Sequence, residues 1–290
     1  MAHSSESQPK PGEGFKVNGN TFIFPSGKLG VPYEVGKAAR VYQIVKNGSA
    51  LHALKVFFPE YRTESNAINA QALSNYKHLS GLAVAERDAI TEEHKVILQK
   101  YPQFENAILM PWVLGESWQN YILDKKAITF EQGLSLAKDL AGTVSKLEAN
   151  GLAHCDLSNG NFVFSPDFRN VELVDIEEMY AKGFQKPDPL PVGTDGYAPL
   201  RVVYDGYFGP EGDRCALGIL VVEILCWQFE DVRESRESMS LFASDEFGHK
   251  SKRYKLVRKR LLDLPNHNGF KPKRLLQLFD QVWFSRWKPN

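Results

Sequence analysis

The spacing of the apolar residues changes near residue 115, and no other feature of the sequence constrains the fold as strongly. Residues 31–58 are rich in β-branched and aromatic side chains, and the dipeptide Asn47-Gly48 interrupts them. Such a dipeptide between two apolar runs is the strongest short-range signal of a β-hairpin. The pattern predicts a helix near 62–79 and strands near 31–36, 39–46, 51–57, 95–99 and 107–113.

After this point the apolar residues recur at the spacing of helices. Thr129 and Gln132 form a capping-box pattern that predicts the start of a helix, and Asn150-Gly151 predicts its end. A β-rich part is therefore followed by a helical part, and the predicted fold class is α+β.

Two stretches of the second part carry further signals. Residues 211–227 are apolar on nearly every side, which is typical of a helix buried in a large core. Residues 251–290 predict two amphipathic helices with basic flanks. The basic run at 250–260 is interpreted as the solvated face of a terminal helix, with docking of a nucleic acid or another partner as the alternative.

Three regions are predicted along the 290 residues. Residues 1–14 form a disordered tail, 15–114 an N-terminal lobe and 115–290 a C-terminal lobe. The tail lacks the apolar stretch of a signal peptide. The length is enough for a large core, either in one domain or in two modest ones.

Composition and charge exclude several classes of function. The 35 basic and 35 acidic side chains cancel, so no nucleic-acid or membrane partner is predicted. The longest apolar run, Leu217–Trp227, contains Glu223 and is too short to span a bilayer. The three cysteines are Cys155, Cys215 and Cys226. Their number is odd and their spacing is not that of a metal site, so neither a disulfide framework nor a zinc site is predicted. This favours the reducing environment of the cytoplasm.

Two carboxylates and a carboxamide stand out in the second part of the chain, namely Asp156, Asp175 and Asn161. Residues 161–165 and 171–175 predict a hairpin that would hold all three at one end. Phosphoryl transfer needs such a set, because one carboxylate orients the attacking hydroxyl while another carboxylate and an amide oxygen hold Mg²⁺ on the phosphates. The alternative is that these residues are ordinary caps and turn formers.

The surrounding motif resembles the catalytic loop and metal-binding segment of the protein kinase superfamily. The matching residues are His154-Cys155-Asp156-Leu157-Ser158-Asn159-Gly160-Asn161 and Val171-Glu172-Leu173-Val174-Asp175. The resemblance covers roughly residues 31–287. It implies a small antiparallel β-rich N-terminal lobe and a larger, mainly helical C-terminal lobe, with ATP in the cleft between them. It also implies that Asp156 is the catalytic base, that His154 supports the loop, and that Asn161 and Asp175 bind Mg²⁺ or Mn²⁺.

Other segments resemble further motifs of the family. Ala53-Leu54-Lys55 is similar to the third-strand motif whose lysine binds the α- and β-phosphates, although a lone lysine on a strand is usually solvated. The other matches are the hinge at Met110–Val113, the end of the activation segment at Gly193–Pro199 and the start of the central helix at Asp213–Gly218.

The resemblance assigns roles to individual residues. Asp213 braces the catalytic loop, with capping of its own helix as the alternative. The residues implied to bind ATP are Gly36, Val41, Lys55, Met110, Trp112, Asn161 and Asp175. Those implied to act in catalysis are Asp156, Lys55, Asn161 and Thr194, the last by shaping the acceptor site.

Several residues depart from the family pattern on the nucleotide side. The phosphate-covering loop, Glu34–Tyr42, keeps only Gly36 of three glycines. The residue expected to pair with Lys55 is Gln71, and Glu64, two helical turns earlier, is the alternative partner.

Other departures concern regulation and the acceptor. Glu177 stands where most members have a glycine and is interpreted as a surface charge or an added metal ligand. Cys155 replaces the arginine that pairs with a phosphorylated loop, so we expect activity without loop phosphorylation. Ser158 replaces a phosphate-binding lysine, as in atypical bacterial kinases and small-molecule phosphotransferases. Arg201 reverses the charge of the glutamate that anchors the activation segment, so this segment needs another anchor or is looser.

The predicted function is ATP- and Mg²⁺-dependent phosphoryl transfer to a hydroxyl of Ser or Thr in a protein substrate. A pseudokinase that acts as a nucleotide-binding or protein-interaction scaffold is the first alternative, because the glycine loop, Gln71 and Glu177 are atypical. A small-molecule kinase is the second, because of Ser158. The acceptor, the regulator and the oligomeric state stay open.

Overall fold

A computed structural model describes residues 8–184, 186–187, 190, 193–198, 207–267 and 269–284 of the chain. It divides the chain into two compact units. One unit comprises Met1–His78 and Leu82–Val113, and the other comprises Leu79–Gly81 and Leu114–Asn290.

The first unit is built on one antiparallel sheet. Its strands are β1 (Gly14–Val17), β2 (Asn20–Ile23), β3 (Tyr33–Val35), β4 (Ala39–Lys46), β5 (Ala50–Phe57), β6 (Asp88–Ala89) and β7 (Ile108–Pro111). Their order is β1-β2-β4-β5-β7-β6, and β3 also pairs with β4. Asn47 and Gly48 both have positive φ, at 50° and 81°, as a tight hairpin turn between β4 and β5 requires. The predicted hairpin is confirmed.

Two helices complete this unit: α1 (Glu64–Leu73) and α2 (Lys95–Lys100). The strand predicted at 95–99 is wrong, because helix α2 occupies these residues. Here Val96 is 83% exposed while Ile97 is buried and Leu98 packs on the core. An apolar run this short does not distinguish helix from strand, and packing against Tyr101 and Phe104 decides it.

The N-terminal segment belongs to the first unit from residue 8 onward. Gln8 Oε1 accepts hydrogen bonds from Arg40 Nη1 and Tyr42 Oη, both at 2.8 Å. The Tyr101 hydroxyl donates to Glu13, and this bond is the main reason that the pKa of Glu13 falls to about 2. These contacts correct the predicted extent of the tail, since residues 8–13 are folded and β1 begins at Gly14.

The second unit is mainly helical. Its helices are α3 (Trp118–Leu123), α4 (Phe130–Ala149), α5 (Arg214–Cys226), α6 (Glu230–Glu234), α7 (Lys252–Asp263) and α8 (Pro272–Phe284). Helix α5 contacts α4, α7 and α8 and is buried on nearly all sides, as predicted. The Thr129–Gln132 capping box at the start of α4 is formed in both directions, at 3.2 and 2.8 Å.

Short antiparallel strands lie beside these helices and carry the loops described below. They are β8 (Glu116–Ser117), β9 (Leu152–Ala153), β10 (Phe162–Phe164), β11 (Glu172–Leu173) and β12 (Tyr180–Ala181). β10 pairs with β8 and β11, and β9 pairs with β12. The predicted α+β class is thus confirmed. Within the described part of the chain, no helix combines the length and apolarity needed to cross a membrane.

The basic run falls largely on helix α7, whose cations divide into two sets. Its arginines pair with acidic side chains within the unit: Arg253 with Glu237 and Glu246, Arg258 with Asp280, and Arg260 with Asp231 and Asp263. Lys252, Lys255 and Lys259 are exposed. Exposed lysines fit both a solvated face and a docking surface, so the choice between the two interpretations of the run stays a prediction.

Candidate functional site

The loop between β9 and β10 and the end of β11 bring the predicted catalytic residues of the second unit together. Phe162 of β10 lies opposite Leu173 of β11, so Asn161 and Asp175 stand at the same end of this hairpin. The Val174 N–H donates to the Asn161 carbonyl at 3.0 Å. The hairpin expected between these residues is therefore present.

Asp156 is held by two side chains, one on each carboxylate oxygen. Thr194 Oγ1 donates to Asp156 Oδ1 at 2.8 Å, and Asn161 Nδ2 donates to Asp156 Oδ2 at 3.0 Å. Each carboxylate oxygen has two lone pairs, so each retains capacity to accept one more hydrogen bond. The arrangement fixes the orientation of Asp156 and leaves it able to accept a proton.

The donor atoms of Asn161 and Asp175 suit a hard divalent cation. Asn161 Nδ2 donates to both the backbone carbonyl of Asp156 (2.7 Å) and its carboxylate, which leaves Oδ1 as the acceptor of that amide. Asp175 is exposed and has φ of 60°. An amide oxygen and a carboxylate are ligands that Mg²⁺ takes together with phosphate oxygens. Among the residues that the structure describes, no group of three or more His, Cys, Asp or Glu forms a ready metal site.

Asp213 braces the backbone of the loop. Its carboxylate accepts from the N–H groups of His154 (2.6 Å) and Cys155 (2.9 Å), while its side chain makes no hydrogen bond to the N-terminus of α5. Asp213 therefore makes the hydrogen bonds of the predicted brace and not those of the alternative, a cap of its own helix. Burial raises the pKa of Asp213 above its usual value.

His154 and Cys155 have structural parts in this loop. His154 is fully buried, and its Nε2 lies 2.8 Å from the Val174 carbonyl, which ties the loop to the end of β11. Cys155 has φ of 65°, a conformation that costs energy for a residue with a side chain. Burial raises the pKa of the Cys155 thiol to about 12, so it stays protonated at neutral pH and is a poor nucleophile.

The first unit places all five of its candidate residues on or beside the strands of its sheet. Gly36 lies in the turn between β3 and β4, where its N–H donates to the Ala39 carbonyl at 2.9 Å. Val41 of β4 lies opposite Lys55 of β5, and Met110 of β7 lies opposite Ala53 of β5.

Lys55 is a buried lysine. Only 7% of it is exposed, and its Nζ lies 5.6 Å from the centre of the Phe57 ring. The alternative of an ordinary solvated lysine is therefore wrong, since lysine is rarely buried without a specific role for its charge. Gln71 and Glu64, the two predicted partners, are both exposed residues of α1, and the choice between them stays a prediction.

Trp112, the fifth candidate, follows β7 directly, and its backbone N–H is already hydrogen-bonded within the sheet. Its N–H donates to the Leu51 carbonyl at 3.2 Å, so the carbonyl is the group that this residue could offer to a nucleotide. The role of the hinge residues in binding adenine stays a prediction. Pro199 and Arg201, at the predicted end of the activation segment, lie outside the described residues.

The sequence analysis missed a buried carboxylate at the centre of the second unit. Glu223 of α5 is fully buried and accepts hydrogen bonds from Trp118 Nε1 (2.8 Å), Tyr197 Oη (3.0 Å) and the Leu241 N–H (3.0 Å). Burial raises its pKa from 4.5 to about 7. A single glutamate within the longest apolar run was the available signal, because such a group must find partners when it is buried.

We expect Glu223 to make stability depend on pH. The folded protein holds the proton of Glu223 up to about pH 7, whereas the unfolded chain releases it near pH 4.5, so stability falls as pH rises between these values. The loss approaches about 3 kcal/mol, because each pKa unit corresponds to about 1.4 kcal/mol. Urea unfolding of the wild type and of Glu223→Gln at pH 5 and pH 8 measures it.

The neutral glutamine cannot titrate, so the variant should lose less stability than the wild type between the two pH values. Tyr197, which donates a hydrogen bond to Glu223, does not affect this comparison, since the pKa of its hydroxyl lies well above its usual value. An equal pH dependence in both proteins would contradict the prediction.

No protein-family model matches the chain. It is 28% identical over 130 residues to the serine/threonine-protein kinase ppk25 of Schizosaccharomyces pombe. The match covers 43% of this chain and 30% of the length of that protein. This partial similarity supports a kinase-like chain and phosphotransfer in general.

Proposed function

We propose that this chain is an ATP- and Mg²⁺-dependent phosphotransferase whose acceptor is a Ser or Thr hydroxyl of a protein. The observation that carries the proposal is the position of Asp156. Its carboxylate is fixed between Asn161 and Thr194, at the end of the hairpin where Asp175 stands. A fixed carboxylate beside two oxygen donors is the set that phosphoryl transfer to a hydroxyl requires.

Each side chain has a part in this proposal. Asp156 accepts a hydrogen bond from the attacking hydroxyl and then its proton, while Thr194 and Asn161 keep the carboxylate in one orientation. Asn161 Oδ1 and the Asp175 carboxylate would hold Mg²⁺, which neutralises charge on the phosphates when it is bound with nucleotide. A further cation for the phosphates is the role that the resemblance implies for Lys55. Positioning and charge neutralisation are the main sources of the rate enhancement.

Ser158 itself offers no exposed group to a small-molecule acceptor. The small-molecule alternative depended on a serine in place of a phosphate-binding lysine. Ser158 is only 2% exposed, so its hydroxyl faces the interior rather than an acceptor. The kinase-like similarity in sequence also favours a protein acceptor, because the matching protein is named as a serine/threonine-protein kinase.

The proposal predicts transfer of labelled γ-phosphate from ATP to generic protein acceptors or to the chain itself. Mg²⁺ or Mn²⁺ should be required, and a chelator should abolish the label because the phosphate charge is then not neutralised. Incorporation of label on Ser and Thr, resolved by phosphoamino-acid analysis, measures it.

Two other outcomes would overturn the proposal. No label, with ATP and Mg²⁺ still raising the melting temperature, would favour a small-molecule kinase or a nucleotide-binding scaffold. If no label is transferred and ATP does not change the melting temperature, the result would favour a pseudokinase that serves as a protein-interaction scaffold. The single glycine of the Glu34–Tyr42 loop would then be a cause of the missing ATP binding.

A further inference from the structure

Residues 8–13, which we call the 8–13 segment, precede the part of the chain that resembles the kinase family. Their backbone is nevertheless attached to the first unit. The Gly12 N–H donates to the Phe24 carbonyl at 2.8 Å, and the Phe24 N–H donates to the Glu13 carbonyl at 2.9 Å. Pro9 is buried. The segment therefore has a fixed place on the first unit, although the resemblance assigns it no role.

The end of the segment is held by α2 and by the residue that follows it. The Tyr101 hydroxyl donates to Glu13 Oε2, and Lys100 Nζ lies 3.1 Å from Glu13 Oε1. The Lys10 N–H also donates to Glu13 Oε2, at 3.0 Å, which closes a turn within the segment. Hydrogen bonds to an ionised carboxylate are among the stronger ones in proteins. This end of the segment is thus a fixed base for the residues before it.

Gln8, at the other end, contacts the phosphate-covering loop Glu34–Tyr42. Gln8 Oε1 accepts from Arg40 Nη1 and from Tyr42 Oη, both at 2.8 Å. Arg40 Nη1 also donates to Tyr42 Oη at 3.1 Å, so the three side chains form a closed triangle of hydrogen bonds. Because Arg40 is charged, its bond to Gln8 is stronger than a bond between neutral groups. The segment thus connects α2 to this loop.

The same cluster joins the two strands of the loop. Tyr33 of β3 lies opposite Tyr42 of β4, and their ring centres are 5.7 Å apart. The Arg40 guanidinium lies 4.9 Å from the centre of the Tyr33 ring, which is a cation–π contact. Arg40 also lies opposite Val35, the last residue of β3 before the turn. Gln8 therefore contacts the base of the turn through a cluster that includes both strands.

The cluster lies on the face of the sheet that does not carry the candidate ATP-binding side chains. Val41 lies opposite Lys55, so these two share one face, while the neighbours of Val41 point to the other face. On that second face the Tyr42 ring lies 5.9 Å from the ring of Phe24. Gln8 can therefore fix the position of the loop without occupying the surface implied to bind the nucleotide.

We infer that the 8–13 segment is a clamp that positions the phosphate-covering loop through Gln8 and thereby raises the affinity of the chain for ATP. A loop already held in its binding position loses less conformational freedom when the ligand binds. Gln8 is a positioning residue, since it acts through Arg40 and Tyr42. Its effect on ATP rests on the proposed function, whereas its effect on the loop rests on the described contacts alone.

The test compares three variants. Gln8→Ala removes the acceptor of both hydrogen bonds, and Gln8→Glu keeps an acceptor oxygen in its place. Asn20→Ala is the matched control, because it removes an exposed amide of the same unit that accepts from Asn47 Nδ2 at 2.9 Å, beyond the other end of β4. Gln8 is exposed, so its replacement should not prevent folding.

We expect KM for ATP to rise about three- to fivefold in Gln8→Ala, the range for a loss of one or two hydrogen bonds near the surface. KM should change less than twofold in Gln8→Glu and Asn20→Ala, and kcat less than twofold in all three variants. An unchanged KM in Gln8→Ala would overturn the effect on ATP. An equal rise in Gln8→Glu or in Asn20→Ala would overturn the role of the acceptor oxygen.

A double variant tests whether Gln8 acts through the loop. Tyr42→Phe removes one of the two donors to Gln8, so part of the effect of Gln8→Ala should already be present in it. The rise in KM for ATP in Gln8→Ala with Tyr42→Phe should therefore be smaller than the product of the two single effects. A rise equal to that product would show that the two side chains act independently and would overturn the inference.

Amide hydrogen exchange distinguishes failure of the inference from failure of the proposed function. Exchange at residues 33–42 should be faster in Gln8→Ala than in the wild type, and unchanged in Gln8→Glu and Asn20→Ala. This result would support the clamp even if the wild type neither transferred phosphate nor bound ATP, which would overturn the proposed function. Unchanged exchange in Gln8→Ala would overturn the inference whatever the activity.

Discussion

Replacing Asp156 by Asn is expected to lower the rate of phosphoryl transfer by about 10²–10⁴-fold, the range that a positioned general base contributes. The side chain keeps its size but loses its capacity to take a proton from the acceptor hydroxyl. An NH₂ group also replaces one of the two carboxylate oxygens, and this group faces a hydrogen-bond donor, either Thr194 Oγ1 or Asn161 Nδ2. Single-turnover transfer from labelled ATP measures the loss of rate.

Asp280→Asn is a matched control for this prediction. Asp280 also accepts hydrogen bonds from a hydroxyl and from a nitrogen, those of Tyr254 and Arg258, but it lies on α8 away from Asp156. The control should keep nearly full transfer activity. Transfer by Asp156→Asn at the wild-type rate would show that Asp156 is not the base. Binding of ATP, measured by the shift in melting temperature, should be retained in Asp156→Asn.

Replacing Asp213 by Ala is expected to have the largest effect on stability, with a loss of about 3 kcal/mol or more. The variant leaves the N–H groups of His154 and Cys155 buried without their acceptor, and each such group costs about 1–3 kcal/mol. The Asp213 carboxylate also helps to hold Cys155 at a positive φ, so the loop backbone should change conformation when the carboxylate is removed. Transfer activity should fall with stability, because the same backbone carries Asp156.

Urea unfolding measures this change, and Asp139→Ala is the control. The Asp139 carboxylate accepts a single backbone hydrogen bond, from the Val171 N–H at 2.7 Å, and Asp139 is only partly buried. Asp139→Ala leaves one N–H group without its acceptor, where Asp213→Ala leaves two, so its loss of stability should be about 1–3 kcal/mol and roughly half that of Asp213→Ala. A change in Asp213→Ala no larger than that of the control would contradict the bracing role. Near-normal activity of a folded Asp213→Ala would contradict the link to Asp156.

Local patterns predicted the elements whose hydrogen bonds join neighbouring residues. Asn47 and Gly48 form the β4–β5 turn, and Thr129 and Gln132 form the cap of α4. The spacing of Asp156 and Asn161 also predicted that the two side chains would lie together, and they share one loop and a direct hydrogen bond. Their roles in catalysis stay predictions. The assignment of residues 95–99 to a strand was wrong, because the apolar run is too short to distinguish the period of a helix from that of a strand.

The sequence alone determined the α+β class, the β4–β5 hairpin, the cap of α4, and the proximity of Asp156, Asn161 and Asp175. Tertiary structure decided what holds that set in place. Asp213 bonds to His154 across 59 positions, Ser244 to Gly196 across 48, and Tyr197 to Glu223 across 26. Apart from the bracing role that the resemblance implied for Asp213, the sequence did not predict these pairs. Each forms only after the helices have packed and buried groups must find partners to offset their lost hydration.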